Sequence, residues 1–162
     1  MTESSAASGS EAILIDLDGA LGDTRPLWDD WLAGAAKVLG VDPAELPRDR
    51  AAAAAALDAA GAGNWRSLLE RFAEGRAPVY LRPHAEVSAA LRRLSASGHR
   101  LGAFTDAPPE LASVALAQLG ASRRLEAVEA GADALDALRA RLGVEAKLVS
   151  TRAELVAAAD IS

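Results

Sequence analysis

Read for its alternation of apolar and polar positions, the chain begins with ten small polar residues and then runs into Ala12-Ile13-Leu14-Ile15. A continuous apolar, partly β-branched run of this length predicts a strand buried on both faces. It stops abruptly at charge, Asp16-Leu17-Asp18-Gly19. From Pro26 the period changes to that of a helix. Leu27, Trp31 and Ala35 fall on one face with Trp28, Leu32 and Leu39 beside it, and Gly40 stands where a C-cap belongs. Asp42-Pro43 predicts a further short turn of helix, Arg48–Ala60 is helix-favouring through its alanines, and Gly61 and Gly63 break it. Asn64 is then placed to cap a helix carrying Trp65, Leu68, Leu69 and Phe72. The tryptophans on these apolar faces are expected in the core.

From Tyr80 onward helices and strands alternate. The pattern predicts a helix over His84–Ser97, a strand over Arg100–Phe104, a helix over Pro108–Leu119 and a short strand near Leu125–Val128. A helix over Ala132–Leu142, a strand over Lys147–Val149 and a last helix from Arg152 follow. Strands and helices in this order give an α/β domain, a Rossmann-like three-layer parallel sheet with helices on both faces. The expected organisation is a disordered tail over 1–10, a core domain made of 11–23 and 80–162, and a small α-helical cap inserted over 24–79. In such sheets the ligand site lies outside the carboxyl ends of the strands, where Asp16, Asp18, Thr105 and Ser150 would converge.

Composition narrows the function classes. The chain has 162 residues, 51% hydrophobic and 25% charged, enough for one substantial core. A formal net charge of -6 repels nucleic acid and anionic membrane, so neither is expected as a partner. There is no cysteine, which rules out thiolate chemistry and suits a reducing compartment. The start lacks a basic segment followed by an apolar one, so no secretion signal is expected, and a cytoplasmic location is the expectation.

The chemistry on offer is concentrated in Asp16 and Asp18. One carboxylate can attack an electrophile such as phosphorus while the other donates and then accepts a proton, and the pair attracts a hard divalent cation. Asp18-Gly19 read alone is also a hairpin turn. Thr105-Asp106 at the second strand's end offers a hydroxyl to a ligand oxygen, or simply caps the helix that follows.

Ile15-Asp16-Leu17-Asp18-Gly19 resembles the first signature of the haloacid dehalogenase superfamily, and Leu101-Gly102-Ala103-Phe104-Thr105-Asp106 resembles the second. The resemblance implies a phosphoglycolate-phosphatase-like member with a helical cap. It implies Asp16 as nucleophile forming an aspartyl-phosphate and Asp18 as general acid/base. Thr105, Asp106 and Gly19 would hold the phosphoryl group, and magnesium would sit on Asp16 and on the backbone carbonyl of Asp18. The second acid, Asp18, argues against the haloacid-cleaving branch.

Later signatures depart from the family's pattern. The Lys or Arg expected at the start of the helix before the fourth strand falls near Glu129-Ala130, where there is no base. At the end of that strand Ser150 stands at the metal-ligand Asp position, with Glu154 as the second acid, although Thr151-x-x-Glu154 also reads as a capping box. Arg152 is the candidate to restore the missing charge, or is a solvated helix-start residue. Lys147 is at the wrong end of its strand, and His84 and His99 read as surface residues. The family's fifth strand is expected to be absent or reduced. Two functions remain in view. One is a magnesium-dependent phosphohydrolase of weakened or specialised activity on a small phosphorylated metabolite. The other is a catalytically inactive protein of the same fold that binds a phosphorylated ligand or a protein partner.

Overall fold

The computed structural model describes residues 11–161, so the expected tail over 1–10 lies outside the described residues. Four parallel strands form one sheet in the order β3-β2-β1-β4: β1 is Ala12–Asp16, β2 Arg100–Thr105, β3 Ala127–Ala130 and β4 Lys147–Val149. Seven α-helices accompany them among the described residues. These are α1 (Arg25–Leu39), α2 (Arg50–Ala59), α3 (Trp65–Tyr80), α4 (Ala85–Ala96), α5 (Pro109–Gln118), α6 (Ala134–Leu142) and α7 (Arg152–Asp160).

Side chains alternate across a strand, and β1 uses both faces. Ile13 and Ile15 join Leu101, Ala103 and Val149 under α4, α5 and α7, while Ala12 and Leu14 join Ala127 under α6. The result is the three-layer α/β arrangement that the alternation of elements predicts. On the α6 side the packing is tight. A Cβ at Gly102 would stand 2.6 Å from Leu142 Cδ1 and 2.8 Å from Leu138 Cδ1.

Helices α1, α2 and α3 form a second cluster around three mutually packed tryptophans. Trp28, Trp31 and Trp65 have ring centroids 5.3–6.4 Å apart and are buried, as their apolar spacing suggests. The same cluster takes in Ala107 and Leu111 at the start of α5, so the inserted helices are seated directly on the segment that follows β2. Gly40 ends α1 in the left-handed conformation (φ 72°), as its position predicts. Asn64 precedes α3, but its side chain accepts no capping hydrogen bond, and α3 runs on to Tyr80, one residue past the expected end of the insertion.

The position of β1 is what matters for function. The chain adds β2 and β3 on one side of it and β4 on the other, so the sheet's course reverses there and opens a crevice beyond the carboxyl ends. Asp16 ends β1 and Thr105 ends β2, at the mouth of that crevice.

Candidate active site

Asp16 leaves β1 into a tight turn over Leu17–Leu21, closed by Gly22 N–H donating to Leu17 O at 2.9 Å. Leu17, Ala20 and Leu21 are buried, which ties the turn to the core and fixes where its polar residues point. Gly19 is required by proximity. A Cβ there would stand 2.3 Å from the Ser150 carbonyl oxygen, a contact that a rigid backbone cannot relieve. The Asp18 amide donates to Asp16 Oδ1 at 3.0 Å, and no other hydrogen bond reaches the Asp16 carboxylate among the described residues. One oxygen is thereby oriented, and the other is left for the cleft.

Asp18 is in the opposite condition. Its Oδ1 accepts the Thr24 amide at 2.8 Å and the Thr24 hydroxyl at 2.6 Å. Its Oδ2 accepts Arg50 Nη2 at 2.7 Å and the Thr105 hydroxyl at 2.5 Å. Four donors on two oxygens use the group's ordinary lone-pair capacity. Thr24 precedes α1 but gives its hydroxyl to Asp18 instead of capping the helix.

Arg50, the first residue of α2, is the centre of the site. Its side chain is only 3% exposed. Nη1 donates to the Thr24 hydroxyl oxygen at 2.6 Å, and Nη2 donates to Asp18 Oδ2 and Asp106 Oδ1, both at 2.7 Å. Nε reaches Asp106 Oδ1 at 3.2 Å, and the Arg50 amide donates to Asp106 Oδ2 at 3.0 Å. Nη2 also lies 3.4 Å from the Thr105 hydroxyl oxygen. A single residue thus connects the turn after β1, the start of α1 and the end of β2.

These contacts set the electrostatics. Burial raises the Asp16 pKa above the ordinary aspartate value; the Asp18 amide and Arg25 pull it down, Asp18 and Asp106 push it up, and the balance is upward. Burial would also raise Asp106, but the Arg50 side-chain and backbone hydrogen bonds hold its carboxyl below the usual range. A cleft of about 720 Å³ opens over Asp16, Asp18 and Asp106, walled by α2 and by residues 131–136 at the start of α6. Arg25 and Arg50 are its two cations.

The structure therefore brings Asp16, Asp18, Thr105 and Asp106 into one place. It does not bring the other candidates there. Gly19 and Arg152 border neighbouring recesses instead of the cleft, and Arg152 is turned to His84 Nε2 (3.1 Å) and Glu86 (3.6 Å). Arg152 is thus set aside as a source of charge at Asp16, because its nearest acceptors lie on and beside α4. Ser150 donates its amide to Glu154 Oε1 at 3.1 Å. Glu154 also accepts the Thr151 hydroxyl at 3.1 Å while its own amide donates back, which is the capping box. The position expected for a base near Glu129-Ala130 lies within β3, where Glu129 pairs with Arg141. The residues that reach the cleft begin at Gly131, and none of 131–136 is basic.

The magnesium implied by the resemblance can be tested against these donors. Magnesium takes six oxygens in near-ideal octahedral geometry. Among the described residues no group of three or more His, Cys, Asp or Glu side chains could hold a metal ion. Of the acids at the ends of β1 and β2, Asp18 and Asp106 are bound by Arg50 and only Asp16 keeps an oxygen that accepts no hydrogen bond, while Glu154 Oε1 caps its helix. The residues present do not fit the ion.

Arg50 and Thr24 were not legible as site residues in the sequence. Arg50 looks like the polar boundary of an alanine-rich helix. The one available signal was an arginine at the start of an otherwise apolar stretch within the expected insertion.

Neither a protein-family profile nor a curated protein sequence matches the chain. Solved structures do. CbbY from Rhodobacter sphaeroides, in complex with phosphate, is similar with a TM-score of 0.61 at 16% identity, over 93% of this chain and 83% of that one. A protein from Thermotoga maritima, provisionally described as a β-phosphoglucomutase, gives 0.55 at 19% identity, over 93% and 82%. A haloacid dehalogenase-like hydrolase from Streptococcus pneumoniae gives 0.54 at 16%, over 88% and 75%. With the parallel sheet in the order β3-β2-β1-β4 and the helices inserted after β1, these likenesses agree on one architecture: the chain has the fold of the haloacid dehalogenase superfamily.

Proposed function

We propose that the chain is a slow phosphohydrolase acting on a small phosphorylated molecule held in the cleft over Asp16. The observation that carries this reading is the state of the Asp16 carboxylate. It stands at the end of the central strand, one oxygen oriented by the Asp18 amide and the other uncommitted, which suits a nucleophile. Attack on phosphorus forms a bond from an Asp16 oxygen and breaks the ester P–O bond. The leaving oxygen takes a proton from Asp18. Water then attacks the aspartyl-phosphate, giving its proton to Asp18 and releasing inorganic phosphate. Arg25 adds positive charge at the cleft wall, where its guanidinium is paired with Asp23 at 2.7 Å. No step runs through a metal. A cytoplasmic setting and a phosphorylated metabolite as partner belong to the same proposal; no helix among the described residues is long and apolar enough to cross a membrane.

The slowness follows from Asp18. To deliver a proton it must carry one, and in this arrangement both oxygens accept from Thr24, Arg50 and Thr105. That saturation favours the second reading, a non-catalytic protein that binds a phosphorylated ligand. Turnover of a chromogenic aryl phosphate, with Asp16→Asn as control, separates the two. Turnover abolished by the substitution supports the hydrolase. No turnover, with retained binding of inorganic phosphate, supports the binding protein, and turnover that survives Asp16→Asn contradicts Asp16 as nucleophile.

A further inference from the structure

Asp16, Asp18 and Asp106 gather at the strand ends in a cleft that Asp49, Asp133 and Asp136 also line, and Asp16 is destabilised by both Asp18 and Asp106. Like charges this close need a counter-charge, and at a phosphoryl-transfer site a divalent cation is a common way to supply it. We infer that Arg50 is the resident counter-ion of this cleft, bridging Asp18 and Asp106 in place of a divalent cation, so that the cleft neither needs nor takes up magnesium.

The geometry is that of a bridging cation. One nitrogen, Nη2, lies 2.7 Å from an oxygen of each carboxylate. The guanidinium is held from two directions. Its main-chain amide is bonded to Asp106 Oδ2 at 3.0 Å, and Nη1 is bonded to the Thr24 hydroxyl oxygen at 2.6 Å, so the charge is placed by the backbone of α2 as well as by the side chain. Asp49 fixes that backbone in turn by accepting the Ala52 amide at 2.8 Å. At 3% exposure the guanidinium fills the space between the two acids. Arg25 supplies a second positive charge, acting on Asp16 and Asp18. On the β4 side, Glu154 Oε1 is committed to the cap of α7, accepting the Ser150 amide and the Thr151 hydroxyl. An arginine is a suitable resident for such a place, because its planar fork can hold two carboxylates at once and it stays charged when buried.

The inference is independent of whether the cleft turns over an ester, and its test is a binding measurement. Manganese is the probe, counted by electron paramagnetic resonance on the full-length protein, with magnesium followed by calorimetry. The expected result is no uptake of either ion at millimolar concentration, and the same melting temperature in magnesium as in EDTA. A site filled to about a hundred times its Kd would instead raise the melting temperature by roughly 5–10 °C. Arg50→Gln is expected to acquire manganese binding, because Asp18 and Asp106 lose the cation that bridges them, and Asp18→Asn in the same background is expected to remove it. If Arg50→Gln does not fold in EDTA, recovery of its folding by millimolar manganese supports the inference and failure to recover counts against it. Uptake of one manganese per wild-type chain, lost in Asp16→Asn, overturns it while leaving the phosphohydrolase reading intact. That reading falls only if turnover is absent or ignores Asp16.

Discussion

Arg50→Met keeps most of the volume and the apolar stem of the side chain while removing the charge that joins the insertion to the sheet. The guanidinium donates to Asp18 and Asp106 at 2.7 Å and to Thr24 at 2.6 Å. The two carboxylates do not lose equally. The Asp106 side chain is 41% exposed and can turn to water, so its share is under about 1 kcal/mol. The Asp18 side chain is 7% exposed and would be left as a nearly dry, underpaired charge. Breaking a buried pair by removing one partner costs about 3–5 kcal/mol, and the remaining Thr24 and Thr105 donors moderate that toward ~3 kcal/mol. For a chain of this size the expected loss in melting temperature is roughly 6–12 °C. Urea denaturation and thermal melts followed by circular dichroism measure it. Adding Asp18→Asn should recover about half, since the orphaned charge is then gone. The deficit should also depend on pH. Arg50 holds the Asp106 pKa below its unfolded value, so the stabilisation is present above the unfolded aspartate pKa and is lost as pH falls through the lower folded one. The wild type should therefore lose stability in acid more steeply than Arg50→Met. A loss below about 1 kcal/mol, or no recovery in the double variant, would refute the reasoning.

The site makes three further expectations. Asp16→Asn should raise stability by about 0.5–1 kcal/mol at neutral pH, the usual scale of gains at strained functional positions. A raised folded pKa means that ionising Asp16 opposes folding, so the gain should vanish as pH falls below both the folded and unfolded values; calorimetric melts across pH would show it. Gly19→Ala should destabilise by about 1–3 kcal/mol, because its Cβ meets the Ser150 carbonyl, and a neutral result in urea titration would mean that the turn and β4 are not in contact. Aryl phosphates, whose leaving groups need no proton, should be hydrolysed faster than alkyl phosphates by about 10²–10⁴-fold, the usual contribution of a general acid. Equal rates would show that Asp18 is free to act.

Much of the architecture was written in local pattern. β1, β2 and β4 are apolar runs bounded by charge, and their limits follow within a residue. β3 was displaced, from Leu125–Val128 to Ala127–Ala130, because an edge strand tolerates the polar Glu129 that a periodicity reading avoids. Counting back from Leu142-Gly143 puts the missing base at Glu129-Ala130, whereas this part of the chain lines the cleft from Gly131. Asp16, Asp18 and Thr105 were legible because strand ends in a parallel sheet share one edge. Arg50 was not. Its partners lie 26 to 56 residues away, and nothing in an alanine-rich segment states which core residue its first turn will meet. Charge placed by tertiary packing leaves little trace in sequence, and Arg152, the basic candidate that the sequence does offer beside β4, is paired with His84 and Glu86.

The most direct test of Asp16 as the attacking group is to trap its phosphoryl ester. Wild-type protein mixed with an aryl phosphate, quenched in acid and digested, should yield the peptide containing Asp16 heavier by one phosphoryl group. Asp16→Asn should yield none. Turnover without any such peptide, or with the label on a different residue, would contradict the account.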